Sequence, residues 1–153
     1  NYASTSGQHS PTTPSGLVTQ TTPYGNEEPP YDVASVLTAA GATFVARHTV
    51  LQARSAIKSV QRAILNKGFS FVEFIIPCPT YTGRYALGSG DPLANLRWIE
   101  ENSRDQSSPN HTRTGILHDV SNTRPEFSAL KREVIRRAQG GGDQERGFAF
   151  VQS

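Results

Sequence analysis

The chain has one cysteine, Cys78, among 153 residues. That excludes an intrachain disulfide framework and points to a reducing compartment. It has no apolar run long enough to cross a bilayer and no visible signal peptide, so the expectation is a soluble, cytoplasmic protein with no membrane partner. Hydrophobic residues make up only 35%, below the range of a self-sufficient fold, and the chain therefore reads as a piece that packs against more protein. A formal net charge of +2 comes from scattered Lys and Arg, not from a basic block, so nucleic acid is not an indicated partner. The sequence lacks a Gly-x-Gly-x-x-Gly or Walker loop and a Gly-x-Ser-x-Gly elbow, which removes the simplest nucleotide-binding and serine-hydrolase readings. Its four histidines, His9, His48, His111 and His118, show no paired spacing, which argues against a zinc site.

What is present is concentrated in two places. Within residues 1–22, the run 2–14 is rich in hydroxyls and nearly free of aliphatic side chains. Such a run buries no hydrophobic face and is either a tail or a loop shaped around something polar. Its order, Tyr2-x-x-Thr5-x-Gly7-Gln8-x-Ser10-Pro11-Thr12-Thr13, is not repetitive; each position offers a different donor, acceptor or backbone constraint. Apolar residues are concentrated between residues 31 and 76.

After a loop punctuated by Gly16, Pro23, Gly25, Pro29 and Pro30, Val33, Val36, Leu37 and Ala40 keep helical spacing, with Asp32 in the N-terminal turn and Gly41 as the stop. Residues 43–47 read as a buried strand. Ala53, Ala56, Ile57, Val60 and Ile64 then give one apolar helix face, ended at Asn66, Lys67 and Gly68. Residues 69–76, nearly continuous in apolar side chains, predict a strand covered on both faces. Strand, helix and strand with short joints imply a parallel crossover unit. Pro77 and Pro79 stop the strand. Residues 81–90 read as loop, Asp91-Pro92 as a helix start, residues 114–120 as a further strand and 125–138 as a late helix. Residues 103–112 read as polar and mobile, and Gly140, Gly141 and Gly142 as the end of ordered structure. Phe148, Ala149, Phe150 and Val151 are apolar enough to dock on a partner.

The opening motif resembles the cofactor loop of β subunits of 2-oxoacid:ferredoxin oxidoreductases, thiamine diphosphate enzymes, and especially the 2-oxoglutarate type. The likeness continues through Tyr24-Gly25-Asn26, residues 41–47, residues 67–73 and Pro77-Cys78-Pro79-Thr80, over roughly the first hundred residues. It implies an α/β fold: the parallel-sheet, C-terminal part of a thiamine-diphosphate-binding domain over residues 1–100, with a loop-rich extension over 101–153. It also implies that the chain begins inside the motif, as the C-terminal part of a longer subunit. The implied reaction is attack of the thiazolium ylide on a 2-oxo carbon, loss of carbon dioxide, single-electron transfer through a [4Fe–4S] cluster to ferredoxin, and acyl transfer to coenzyme A. The implied partners are an α subunit and further γ or δ subunits.

Residue by residue, the resemblance places Tyr2, Ser4 and Thr5 along the cofactor. Asn1 would offer a backbone carbonyl to the Mg²⁺ on the diphosphate, a hard cation suited to oxygen ligands. Ser6 and Gln8 would face substrate, with Ser6 standing where the family usually carries Gly or Lys. His9 is either a partner of the substrate carboxylate or a solvated loop histidine. Cys78 would supply one of the four thiolates of the cluster; read alone, a single cysteine is a small buried hydrophobe. Arg84 matches a family arginine near the cluster loop and is otherwise a surface residue. Lys131, Arg132, Arg136 and Arg137 form a basic cluster that is a solvated face or a subunit contact. Two other readings stay open: the same chemistry on pyruvate or another 2-oxoacid, and an inactive, truncated subunit-binding module.

Overall fold

Strand β1 (Phe44–Thr49) runs through the middle of a three-stranded sheet, between β2 (Ser70–Ile75) and β3 (Gly115–Asp119). The structure is a computed structural model describing residues 4–104, 112–121 and 123–140. β1 and β2 are parallel, in a register that sets Phe44 opposite Ser70 and Thr49 opposite Ile75. β3 is antiparallel to β1, and its register shifts between Val45 and Ala46, the mark of a bulge.

Being central explains why β1 is buried along its whole length. Its side chains alternate between two layers, as strand geometry requires. On one face Val45 packs with Ala34 of helix α1 (Val33–Ala39), and Leu37, Phe71 and Leu117 close the cluster. On the other, helix α2 (Ala53–Leu65) covers Phe44 and His48: the Arg62 guanidinium lies 5.6 Å from the Phe44 ring centroid, and Ser59 Oγ is 2.8 Å from His48 Nε2. Arg62 also pairs with Asp119, tying α2 to β3.

α1 stops where the sequence predicts. Gly41, at φ 91°, lets its N–H reach Thr38 O at 3.0 Å and the Ala42 N–H reach Leu37 O at 3.0 Å, a turn back into β1 that an L side chain would strain. Between β1 and α2, Thr49 and Gln52 form a capping box around a short 3₁₀ turn (Val50–Gln52), and Gln52 Nε2 donates to Thr114 Oγ1 at 3.0 Å. At the far end of α2, Asn66 Nδ2 donates to Thr43 Oγ1 and Ser70 Oγ, at 2.8 and 2.7 Å, fastening the helix to the starts of both parallel strands.

Three elements depart from expectation. α2 is rotated: Ala56 and Ser59 are its buried residues, while Ile57 and Ile64 are 59% and 76% exposed. The small side chains let the helix approach the sheet closely over Phe44 and His48, which turns the larger aliphatics outward. β2 is half-buried, because the pairing order leaves it at the sheet edge among the described residues. And residues 81–90 are not all loop: a π-helical segment (Pro79–Ala86) follows β2 with three residues between them.

Helix α3 (Pro92–Arg104) starts as its sequence indicates, with the Asp91 carboxylate accepting from the Leu93 and Ala94 N–H groups at 3.1 and 3.2 Å. Helix α4 (Phe127–Gln139) is capped by Glu126 and leaves Phe127 and Val134 largely exposed. No described helix is long and apolar enough to cross a membrane. The apolar segment 148–151, most of the polar stretch 103–112, and Gly141 and Gly142 lie outside the described residues.

Candidate functional site

The opening loop folds around its own hydroxyls. Ser10, Pro11, Thr12 and Thr13 make a turn in which the Thr13 N–H donates to Ser10 O at 2.9 Å, with proline at the position where its fixed φ suits the turn. The Ser10 N–H donates to Thr13 Oγ1 at 3.0 Å, and the two hydroxyls lie 3.1 Å apart. Thr13 is fully buried, and Asn26 Nδ2 clamps its carbonyl at 2.8 Å while donating to Glu28 O at 2.9 Å. Tyr31 N–H donates to Pro11 O at 2.7 Å, which joins this scaffold to the start of α1.

On that base the preceding residues face outward. Ser4, Thr5, Ser6 and Gln8 are exposed and His9 is half-buried. The His9 N–H donates to Thr21 Oγ1 at 2.9 Å, and Gln20 N–H to Gly7 O at 3.2 Å, so the second half of the loop backs the first. His9 also borders an open groove of about 430 Å³ with Thr21, Tyr24 and Asn26. Ser6 and Gly7 both have left-handed backbones, φ 65° and 88°, and Ser6 is the only such non-glycine among the described residues. Asn1 and Tyr2 lie outside the described residues.

The second part of the site lies beyond the carboxyl end of β2, the side on which open parallel sheets bind ligands. Cys78 is half-buried there, at the start of the π-helical segment. Burial pushes its thiol pKa up, but hydrogen bonding from the backbone of Thr82, Tyr81 and Thr80 and from the Thr82 side chain outweighs this and holds it below the ordinary value. A sulfur so surrounded is suited to serve as a thiolate. The segment is held tightly: Gly83 N–H donates to Cys78 O at 2.8 Å, Ser89 N–H to Gly83 O at 2.8 Å, and the buried Asn95 amide packs directly over Gly83. Arg84 is exposed and lies across Gly90.

The two parts meet. Tyr81, stacked on Tyr85 with ring centroids 6.5 Å apart, sets its hydroxyl 3.5 Å from Ser6 Oγ. The structure therefore brings Ser6 to the Cys78 segment, a contact no sequence periodicity indicates. Thr13 and Asn26, which the sequence marks only as parts of the matching motifs, form the clamp of the loop, a pairing across 13 positions that no local pattern indicates. Behind the site, Arg47 donates to Asp32 Oδ1 at 2.7 Å and to Glu73 Oε2 at 2.5 Å, linking α1, β1 and β2. His48, buried against Ser59, has its pKa lowered by burial. Among the described residues no group of three or more His, Cys, Asp or Glu could hold a metal ion.

Residues 1–74 match the family described as thiamine pyrophosphate enzyme, C-terminal TPP binding domain. The chain is 49% identical over 134 residues to the 2-oxoglutarate synthase subunit KorB of Archaeoglobus fulgidus, covering 88% of this chain and 45% of that one. It is 44% identical over 102 residues to the KorB subunit of Methanothermobacter thermautotrophicus, covering 67% and 35% respectively. The chain thus spans between about a third and a half of these curated relatives. Among solved structures, a 2-oxoglutarate:ferredoxin oxidoreductase from Magnetococcus marinus, with 2-oxoglutarate, coenzyme A and succinyl-CoA bound, superposes with a TM-score of 0.69 over 99% of this chain and 55% of the other. At 22% identity that likeness bears on the fold alone.

Proposed function

We propose that the chain, whose residues 1–74 match the C-terminal TPP binding domain of thiamine pyrophosphate enzymes and which is 44–49% identical to KorB subunits over the aligned parts, forms the cofactor loop and one sheet end of a β subunit of that kind, acting on 2-oxoglutarate. The complete enzyme would oxidatively decarboxylate the 2-oxoacid, pass electrons to ferredoxin and transfer the acyl group to coenzyme A, with an α subunit completing the complex. The observation that carries this reading is the meeting of the Ser6 hydroxyl with Tyr81, on the Cys78 segment beyond the carboxyl end of β2.

Thiamine diphosphate, when bound, supplies the nucleophilic carbon and electron sink; the protein positions and tunes it. In this proposal Ser4 and Thr5, with Tyr2, would line the cofactor, and the Asn1 carbonyl would offer an oxygen ligand to Mg²⁺. Ser6 and Gln8 face the substrate, and His9, its backbone anchored on Thr21, offers an imidazole to the substrate carboxylate. Cys78 fits one position of a [4Fe–4S] cluster, since the donors around its sulfur favour a thiolate. Since Cys78 is the one cysteine of this sequence, such a cluster would need its other three thiolates from outside it.

The test is reconstitution of the complete complex with a panel of 2-oxoacids, following ferredoxin reduction and acyl-CoA formation. Preference for 2-oxoglutarate is expected. Preference for pyruvate or a branched-chain 2-oxoacid would move the substrate assignment, for which the departure at Ser6 is the specific motive. A complex that turns over none of them would sink the enzymatic reading and leave a subunit-binding module.

A further inference from the structure

The Tyr81 hydroxyl and Ser6 Oγ lie 3.5 Å apart across 75 positions of chain. Neither end of this contact is loosely placed. The Tyr81 ring stacks nearly parallel on Tyr85, at 15°, on a segment held by Gly83 N–H to Cys78 O at 2.8 Å and Leu87 N–H to Thr82 O at 3.0 Å. Ser6 has a left-handed backbone, φ 65°, which an L residue adopts only where its surroundings over-determine it. A phenol that donates to Ser6 Oγ occupies a lone pair of that oxygen and turns the serine proton away from the tyrosine, toward whatever the exposed loop faces. A hydroxyl so polarised is the better donor to an anion.

We propose that Tyr81 is a positioning residue: its hydroxyl holds Ser6 and so sets the substrate side of the cofactor loop against the segment carrying Cys78. This rests on the functional reading above, in which Ser6 faces the 2-oxoacid. Tyr81 need touch neither cofactor nor substrate. It acts through the orientation of one serine hydroxyl, and because the contact is long its effect is modest.

The experiment is a double-substitution cycle in the complete complex, with Tyr81→Phe, Ser6→Ala and both together. Phe keeps the stack on Tyr85 and removes only the hydroxyl. Tyr81→Phe is expected to raise the KM for 2-oxoacid about twofold to tenfold, the range of one neutral hydrogen bond, with kcat, thiamine diphosphate affinity and iron content within about twofold. In the Ser6→Ala background Tyr81→Phe should change nothing further. Independently of turnover, Tyr81→Phe and Ser6→Ala should each speed amide hydrogen exchange at Gly7 and Gln8. Additive effects on KM, or unchanged exchange at those amides, would overturn the proposal. If the wild-type complex turns over no 2-oxoacid the functional reading falls, and the exchange measurement alone decides whether Tyr81 holds Ser6.

Discussion

Arg47 and Glu73 stand opposite one another in the parallel register of β1 and β2, and their side chains meet at 2.5 Å while the same guanidinium reaches Asp32 at 2.7 Å. A buried arginine with two carboxylate partners joins three elements through one fork of donors. Arg47→Met would leave those carboxylates facing each other without their cation. Breaking a buried pair typically costs about 3–5 kcal/mol, and the 41% exposure of the Asp32 side chain reduces that, so a loss of roughly 2–3 kcal/mol is expected. Denaturant unfolding of the purified protein measures it; a loss under about 0.5 kcal/mol would show that the cluster contributes little.

Asp32 gives this cluster a pH dependence. Burial raises its pKa, but hydrogen bonds from Ser35 and Arg47 and the Arg47 charge outweigh burial and hold it below the ordinary 3.8. A carboxyl whose folded value is depressed contributes stability that is present above the unfolded value and lost as pH falls through the folded one. Unfolding midpoints should therefore be insensitive to this group above about pH 5 and fall below about pH 4, less so in Asp32→Asn. An identical acid slope in that variant would exclude the assignment.

On α4, Glu133 accepts from Arg136 Nε and Nη2 and from Arg137 Nε, each at 2.8 Å. Hydrogen bonds from Arg136 first and Arg137 second hold its carboxyl down at about 2, from 4.5. The same sign holds, so the helix keeps this support above about pH 4.5 and loses it towards pH 2. A carbon-detected NMR titration should place the Glu133 midpoint well below 4.5; a midpoint near 4.5 would mean that the arginines are solvated instead.

Gly83→Ala should damage the Cys78 segment. A Cβ there would stand 2.6 Å from the Asn95 side chain and 2.6 Å from Ser89 O, one of them backbone that cannot move aside cheaply. Overpacking of this kind costs about 1–3 kcal/mol. In the complete complex, lower thermal stability together with reduced iron content is the expected pair of observations. Full iron content at wild-type stability would show that the segment re-packs.

Cys78→Ser in the complete complex should leave the fold nearly intact, since serine is close in size, and impair electron delivery to ferredoxin. A purely packing role predicts a small stability loss with iron content and ferredoxin reduction unchanged, and that outcome would return Cys78 to the status of a small buried side chain.

Much of the layout between residues 31 and 76 was legible from local chemistry. Helical spacing, Gly41 as a stop, two β-forming runs and the prolines around Cys78 all act within a few residues, so the chain order of α1, β1, α2 and β2 needs no distant partner. The polar character of the opening loop was legible for the same reason, as was its motif, although the roles of Ser4, Thr5, Ser6, Gln8 and His9 rest on resemblance and remain the proposals tested above. What only the tertiary structure decided is which surfaces meet. β3, more than 60 residues after β1, pairs with it in antiparallel fashion and makes β1 central. Ala56 and Ser59 face the sheet in place of Ile57 and Ile64 because close approach over Phe44 and His48 favours small side chains there. Residues 79–86 wind into a π-helical segment because Gly83 can sit against Asn95, and that winding carries Tyr81 to Ser6. Helical and strand periods record how a segment alternates its own faces; they carry no record of which face another segment 75 positions away will touch.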